Sequence, residues 1–134
     1  MIASISAIFS SLLPRCTIVT DSTTSERLGT FLEGKLGLKH YRYVLGYLKV
    51  IGKGMELTSS GDANAEVAIE ISGHCAMKEN GYVDDGKYTA VKIIGLPART
   101  AAKGKRGSLL DLVSEFDEMP YEKDMRMRAK DGSL

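Results

Sequence analysis

The sequence predicts an α+β domain: a small antiparallel sheet of about four strands, with N-terminal and C-terminal helices packed mainly on one face. Three observations predict it. Apolar residues recur at helical spacing near both ends, whereas the middle holds short alternating runs rich in β-branched and aromatic residues. Turn signals at Asn80-Gly81 and Asp84-Asp85-Gly86 separate the middle runs at hairpin distance. Finally, 43% hydrophobic residues in 134 are enough for one core without staples. Residues 1–119 are expected to form the single domain, and 120–134 a short C-terminal helix or frayed tail.

Ile2, Ile5, Ile8, Phe9, Leu12 and Leu13 make one helix stripe. The run is broken by serines, lacks an early cation and is too short to span a bilayer, as is every later segment. Residues 16–20 (CTIVT) read as a short buried strand. Thr23 and Glu26 fit a capping box ahead of Leu28, Phe31, Leu32 and Leu36, with Gly37 as the stop. Residues 39–53 alternate, with Tyr41, Tyr43, Leu45 and Tyr47 on one parity, which favours a long strand bulged at Gly46; a helix is the alternative. A brief strand at 55–58 is optional. Residues 65–72 alternate cleanly, placing Ala65, Val67, Ile69 and Ile71 inward and Glu66, Ala68, Glu70 and Ser72 outward, as in a half-buried antiparallel strand that 74–79 extends. Residues 87–94 form the last strand, ended by Gly95-Leu96-Pro97. Ser108 then caps a helix with Leu109, Leu112, Val113 and Phe116 on its apolar face and Pro120 at its end.

Charge is segregated although the net is only +1, which excludes a globally basic nucleic-acid binder. The stretch 98–107 carries Arg99, Lys103, Lys105 and Arg106 without an acid, and the following 108–124 carries Asp111, Glu115, Asp117, Glu118, Glu122 and Asp124 against Lys123. Gly104 and Gly107 free backbone amides to turn toward an anion, and the capped helix beyond favours negative charge at its start. These four cations, with Arg42 and Lys39, are the candidate phosphate contacts; such contacts give affinity without sequence selectivity. Tyr41, Tyr43 and Tyr47 beside Lys39 and Arg42 suggest a base-stacking face, although a core role suits the tyrosines better.

Other chemistries find little support. Gly95 and Gly104 do not supply the P-loop register. Cys16, Cys75, His40 and His74 match no zinc spacing, and neighbouring His74 and Cys75 would point to opposite faces of a strand. Asp84-Asp85-Gly86 lacks the calcium-loop ladder and reads as a turn. No cofactor or metal is expected. Cys16 and Cys75 read as reduced core thiols of a cytoplasmic protein; one bridge between them is the alternative for an exported chain.

The function expected from these residues is that of a non-enzymatic nucleic-acid-binding or nucleic-acid-handling accessory protein, with RNA or DNA as partner through the basic loop. The alternative is a homodimeric assembly or adaptor protein, such as a phage or viral component, burying its amphipathic ends. The third is a small enzyme using Asp21, which sits where a strand gives way to a helix.

Overall fold

The β-branched run after Cys16 becomes the spine of the fold. In the computed structural model, which describes residues 1–102, 111–114 and 116, strand β1 (Thr17–Asp21) is buried along its whole length. It lies inside a four-stranded sheet of order β2-β1-β3-β4. Strands β2 (Lys39–Tyr43) and β3 (Ala65–Ile69) both run parallel to β1, and β4 (Cys75–Met77) runs antiparallel to β3. The class is α+β, as expected, and the sheet is mixed rather than antiparallel.

The difference in strand sense has a local cause. Parallel neighbours need crossovers, usually helical, and one of these was hidden. Residues 39–53 are not one strand: β2 ends at Tyr43, Gly46 turns the chain at φ +122°, and helix α3 (Tyr47–Ser60) follows. Val50, Ile51, Gly54 and Leu57 are its buried face, a helical spacing that the tyrosine alternation obscured. The optional strand at 55–58 lies within this helix.

Alternate residues of β1 feed two separate apolar clusters. Ile18, with Val67 and Ile69 of β3, faces helix α1 (Ile2–Leu12) through Ile5, Ile8 and Phe9, and faces Leu28, Phe31 and Leu32 of the second helix. Val19, with Ala68 and Ala76, faces α3 through Val50, Ile51 and Leu57. A fully buried isoleucine or phenylalanine contributes roughly 1.5–3 kcal/mol. The expected half-buried strand at 65–72 is therefore buried on both faces and ends at Ile69; residues 70–74 form the turn into β4. Even Glu66 is buried, and it is compensated by Lys78 at 3.2 Å.

Helix α2 (Glu26–Thr30) is capped by Ser25, whose hydroxyl accepts from the Leu28 amide, rather than by Thr23. It continues as a wider, π-helical turn (Phe31–Lys35) and stops at Gly37, where φ is +64°. Residues 87–94 belong not to a strand but to helix α4 (Gly86–Ala102), started by the Asp85 carboxylate accepting from the Lys87 and Tyr88 amides at 2.9 and 3.1 Å. Gly95 and Pro97 do not end it. Tyr88 and Ile93 pack on the α1 cluster, so packing overrides the β-branched composition of Val91, Ile93 and Ile94. Helices α1 and α4 thus share one face of the sheet while α3 covers the other, and most of the helix expected from Ser108 lies outside the described residues.

Beyond α4, Asp111–Val113 form one short 3₁₀ turn, and Phe116 meets Phe31 with ring centroids 5.2 Å apart. The stretch 98–107 is not wholly a loop, because its first five residues complete α4. Lys103, Lys105, Arg106 and Ser108, and the expected tail at 120–134, lie outside the described residues. Among the described residues no helix is long and apolar enough to cross a membrane.

Candidate functional site

Parallel strands deliver their carboxyl ends to one edge of a sheet, and open α/β sheets bind ligands outside that edge. Here the edge gathers the exits of β1 and β3. Asp21, the last residue of β1, is fully buried and receives the Thr23 amide on Oδ1 at 2.8 Å and the Ile71 amide on Oδ2 at 2.8 Å. The Thr23 hydroxyl also donates to Oδ1. Burial alone would raise this carboxyl, but the donors from Thr23 and Ile71 outweigh it and hold Asp21 below its ordinary value. Asp21 is thus an anionic clamp between the β1 exit and the 70–74 turn.

That turn reads Glu70-Ile71-Ser72-Gly73-His74. Glu70 is buried; its Oε1 accepts from the Gly46 amide at 3.0 Å and its Oε2 from the Ser72 hydroxyl at 2.5 Å. The His74 carbonyl accepts from the Glu70 amide at 2.9 Å, and Gly73 adopts φ +104°, a conformation that favours glycine. The turn therefore closes tightly and lifts Ser72 and His74 to the rim. His74 stacks on Tyr47 from the start of α3, with centroids 4.4 Å apart and planes 22° apart. Its Nδ1 lies 2.6 Å from Oδ2 of Asp84.

Asp21, Glu70 and Asp84 find their partners in amides, hydroxyls and an imidazole rather than in cations. Carboxylates, a hydroxyl, an imidazole and an aromatic face suit a ligand that offers several hydroxyl groups and C–H faces. They do not suit a bare anion. The cysteines do not compete as nucleophiles: burial pushes Cys16 and Cys75 each up to about 11. Among the described residues no group of three or more His, Cys, Asp or Glu could hold a metal ion.

The model of the phosphoglucomutase/phosphomannomutase alpha/beta/alpha domain III matches residues 1–117. The chain belongs to that family. A comparison with curated proteins returned no match.

Membership in a phosphohexomutase family corrects the functional expectations. A non-enzymatic nucleic-acid-binding accessory protein, an RNA or DNA partner, and a homodimeric adaptor with an assembly role are all set aside, because the family is one of enzymes. The residues behind those expectations are dispersed. Lys39 and Arg42 lie on β2, where Arg42 donates to the Ser22 carbonyl at 2.8 Å and so braces the β1 exit. Arg99 lies in α4, far along the chain from the 70–74 turn, and Lys103, Lys105 and Arg106 are not described. The three tyrosines do not form one stacking face. Tyr41 and Tyr43 lie under the Lys53 ammonium, at 5.7 and 5.4 Å, while Tyr47 has passed to α3 and stacks on His74.

Sequence reasoning placed Asp21 at a strand end but missed Glu70, Ser72 and His74, which it assigned to a continuing strand. One signal was available: a carboxylate, a hydroxyl, a glycine and an imidazole within five residues, directly after an apolar run.

Proposed function

We propose that this chain is the hexose-recognising domain of a phosphohexomutase, and that the 70–74 turn with Tyr47 grips the hydroxyl groups of a glucose or mannose phosphate. The observation that carries the proposal is the convergence of Glu70, Ser72 and His74 at the carboxyl edge of a sheet in a chain of this family. Hydrogen-bonding groups held by their own partners recognise a polyol at low ordering cost. A grip of this kind also presents one chosen hydroxyl to a phosphoryl donor, so orientation contributes to the rate.

For the phosphoryl end, Arg42 is the candidate cation. It pairs in register with Thr20, which pairs with Ile69, so it stands two strands from the turn along the same row, or about 10 Å. The cations Arg99, Lys103, Lys105 and Arg106 have the charge for the same task. A cytoplasmic setting belongs to the proposal and is supported by the two free, buried thiols.

Titration of the ¹⁵N-labelled chain with glucose 6-phosphate and mannose 6-phosphate tests the proposal. The amides of residues 70–74 and of Tyr47 are expected to shift with the sugar phosphates, and Ser72→Ala to weaken binding about tenfold, the value of one to two hydrogen bonds. Shifts confined to other regions, or an identical pattern with inorganic phosphate alone, would show that the turn does not read the sugar.

A further inference from the structure

The contacts of His74 raise a question that sugar recognition alone does not answer: which ring nitrogen faces the ligand as an acceptor. A neutral imidazole carries one donor and one acceptor, and the bond made by one nitrogen sets the state of the other. We propose that Asp84 is the positioning residue that holds His74 in the Nδ1–H form, so that Nε2 is the acceptor offered to a hydroxyl of the bound hexose phosphate. The inference rests on the proposed function for its ligand but not for its geometry.

Four observations carry it. Oδ2 of Asp84 lies 2.6 Å from Nδ1 of His74, and a carboxylate can only accept, so in the neutral ring Nδ1 holds the proton. The other oxygen, Oδ1, is already engaged by the Cys75 amide at 3.1 Å, which prevents the carboxylate from swinging away. Asp84 is itself set by its backbone, which bridges to Ala76 of β4, while the Asp85 amide donates to the Cys75 carbonyl at 3.3 Å. Tyr47 covers one face of the ring at 4.4 Å and restricts rotation. The ring is therefore constrained by a carboxylate at one nitrogen and an aromatic plane at one face. The groups against the ring are Asp84 from the segment before α4 and Tyr47 from α3, while Glu70 in its own turn is engaged by Gly46 and Ser72.

The geometry also predicts what a single exchange of atoms does. In Asp84→Asn the Cys75 amide still requires an acceptor at Oδ1, so the new NH₂ group is forced into the Oδ2 position facing Nδ1. A donor there makes Nδ1 the acceptor and moves the ring proton to Nε2. The backbone bonds of the segment persist, and the acceptor offered to the ligand becomes a donor.

The test is ¹⁵N spectroscopy of the His74 side chain at about pH 8, on the full chain and on Asp84→Asn. The proposal expects Nδ1 protonated and Nε2 unprotonated in the parent, the reverse in Asp84→Asn, and an unmoved Ala76 amide in both. A parent ring protonated on Nε2, or on both nitrogens, overturns it, as does an Asp84→Asn ring in the parental form. Should the variant fail to fold, the parent ring alone decides the assignment. Titration with glucose 6-phosphate adds a second arm. Its affinity should fall about tenfold in Asp84→Asn, as when a bound hydroxyl loses its acceptor. Equal affinity of the two proteins refutes the role in ligand binding. Absence of binding to the parent refutes the proposed function while leaving the tautomer measurement to judge Asp84.

Discussion

Replacing Asp21 by Asn changes one atom at the tightest junction of the fold, and its cost can be worked through from the bonds. Oδ1 receives two donors from Thr23 and Oδ2 receives the Ile71 amide at 2.8 Å. With its NH₂ at the Oδ2 position, Asn leaves the Ile71 amide facing another donor. With its NH₂ at the Oδ1 position, it leaves the Thr23 amide unpaired, although the Thr23 hydroxyl can turn and accept. Either way one backbone N–H loses its partner, which costs about 1–3 kcal/mol when the group is shielded from water. The remaining bonds lose charge assistance, which roughly halves them. The expected loss is about 2–3 kcal/mol, measured as the change in unfolding free energy by urea titration. The folded state also holds the carboxyl below its ordinary value of 3.8. The stability it contributes is thus present above that value and lost as pH falls through the lower folded one. Asn should remove this acid dependence as well as lower the stability at neutral pH. A loss below about 0.5 kcal/mol at neutral pH would refute the clamp, because no arrangement of the amide satisfies both backbone donors.

Two further outcomes follow from side chains away from the turn. His40 is half-buried, with Nε2 2.8 Å from the Thr20 hydroxyl; burial lowers its basicity, Arg42 adds to the effect and Glu33 opposes it. The unfolded chain therefore binds the proton first, and the stability gained from the neutral ring is complete above the ordinary value of 6.5 and lost as pH falls through the folded one. Urea titrations at several pH values should show the advantage of the parent over His40→Gln shrinking as pH falls, and a constant difference would contradict the assignment. Gly54→Ala should destabilise by about 1–3 kcal/mol despite a gain of about 1 kcal/mol in helix propensity. A Cβ there would come within 3.1 Å of both the Ala68 methyl and the Tyr82 ring, and that ring is held by its hydroxyl against Thr58 Oγ1 at 2.7 Å. A more stable Ala variant by thermal denaturation would show that α3 can retreat from the sheet.

The parts of the fold legible in the sequence were those set by local spacing. The stripe from Ile2 to Phe9, the run of β1 and the stop at Gly37 each declare themselves within a few residues, and the structure agrees. Helices α3 and α4 did not, because Tyr41 to Tyr47 and Val91 to Ile94 carry strand-like residue types. What makes these segments helical is distant: Ala68 and Ala76 are small enough for α3 to approach, and the α1 cluster accepts Tyr88 and Ile93. With α3 unseen, the parallel sense of β2 and β3 was unseen too, and with it the edge where the strand exits meet. The site was missed for the same reason. Alternation from Ala65 to Ser72 continues for three residues after the strand has ended, so Glu70 and Ser72 looked like its solvent face.

The site divides into groups that hold and groups that present. Asp21 ties the β1 exit to Ile71, Glu70 ties the turn to Gly46 at the start of α3, and Asp84 ties the segment before α4 to Cys75 at the start of β4. Each carboxylate accepts a backbone amide from a different segment. The loops around the carboxyl edge are therefore bound to one another by charge-assisted bonds that need no counter-cation. For Asp21 these bonds hold the carboxyl below its ordinary value, so it stays a tie rather than a general base. The groups at the rim, to which the proposal gives the ligand, are the Ser72 hydroxyl, the Nε2 edge of His74 and the exposed part of Tyr47. None of these carries a permanent charge of its own. On the function proposed above, a rim of hydroxyl, imidazole and aromatic ring on an anionic scaffold takes the hydroxyl-bearing part of a sugar phosphate rather than its phosphoryl group. The same proposal assigns the cation for that group to another part of the protein, with Arg42 two strands away as the candidate. Such a separation would let one edge of the sheet set the orientation of the proposed sugar without competing for the charge that is to be moved.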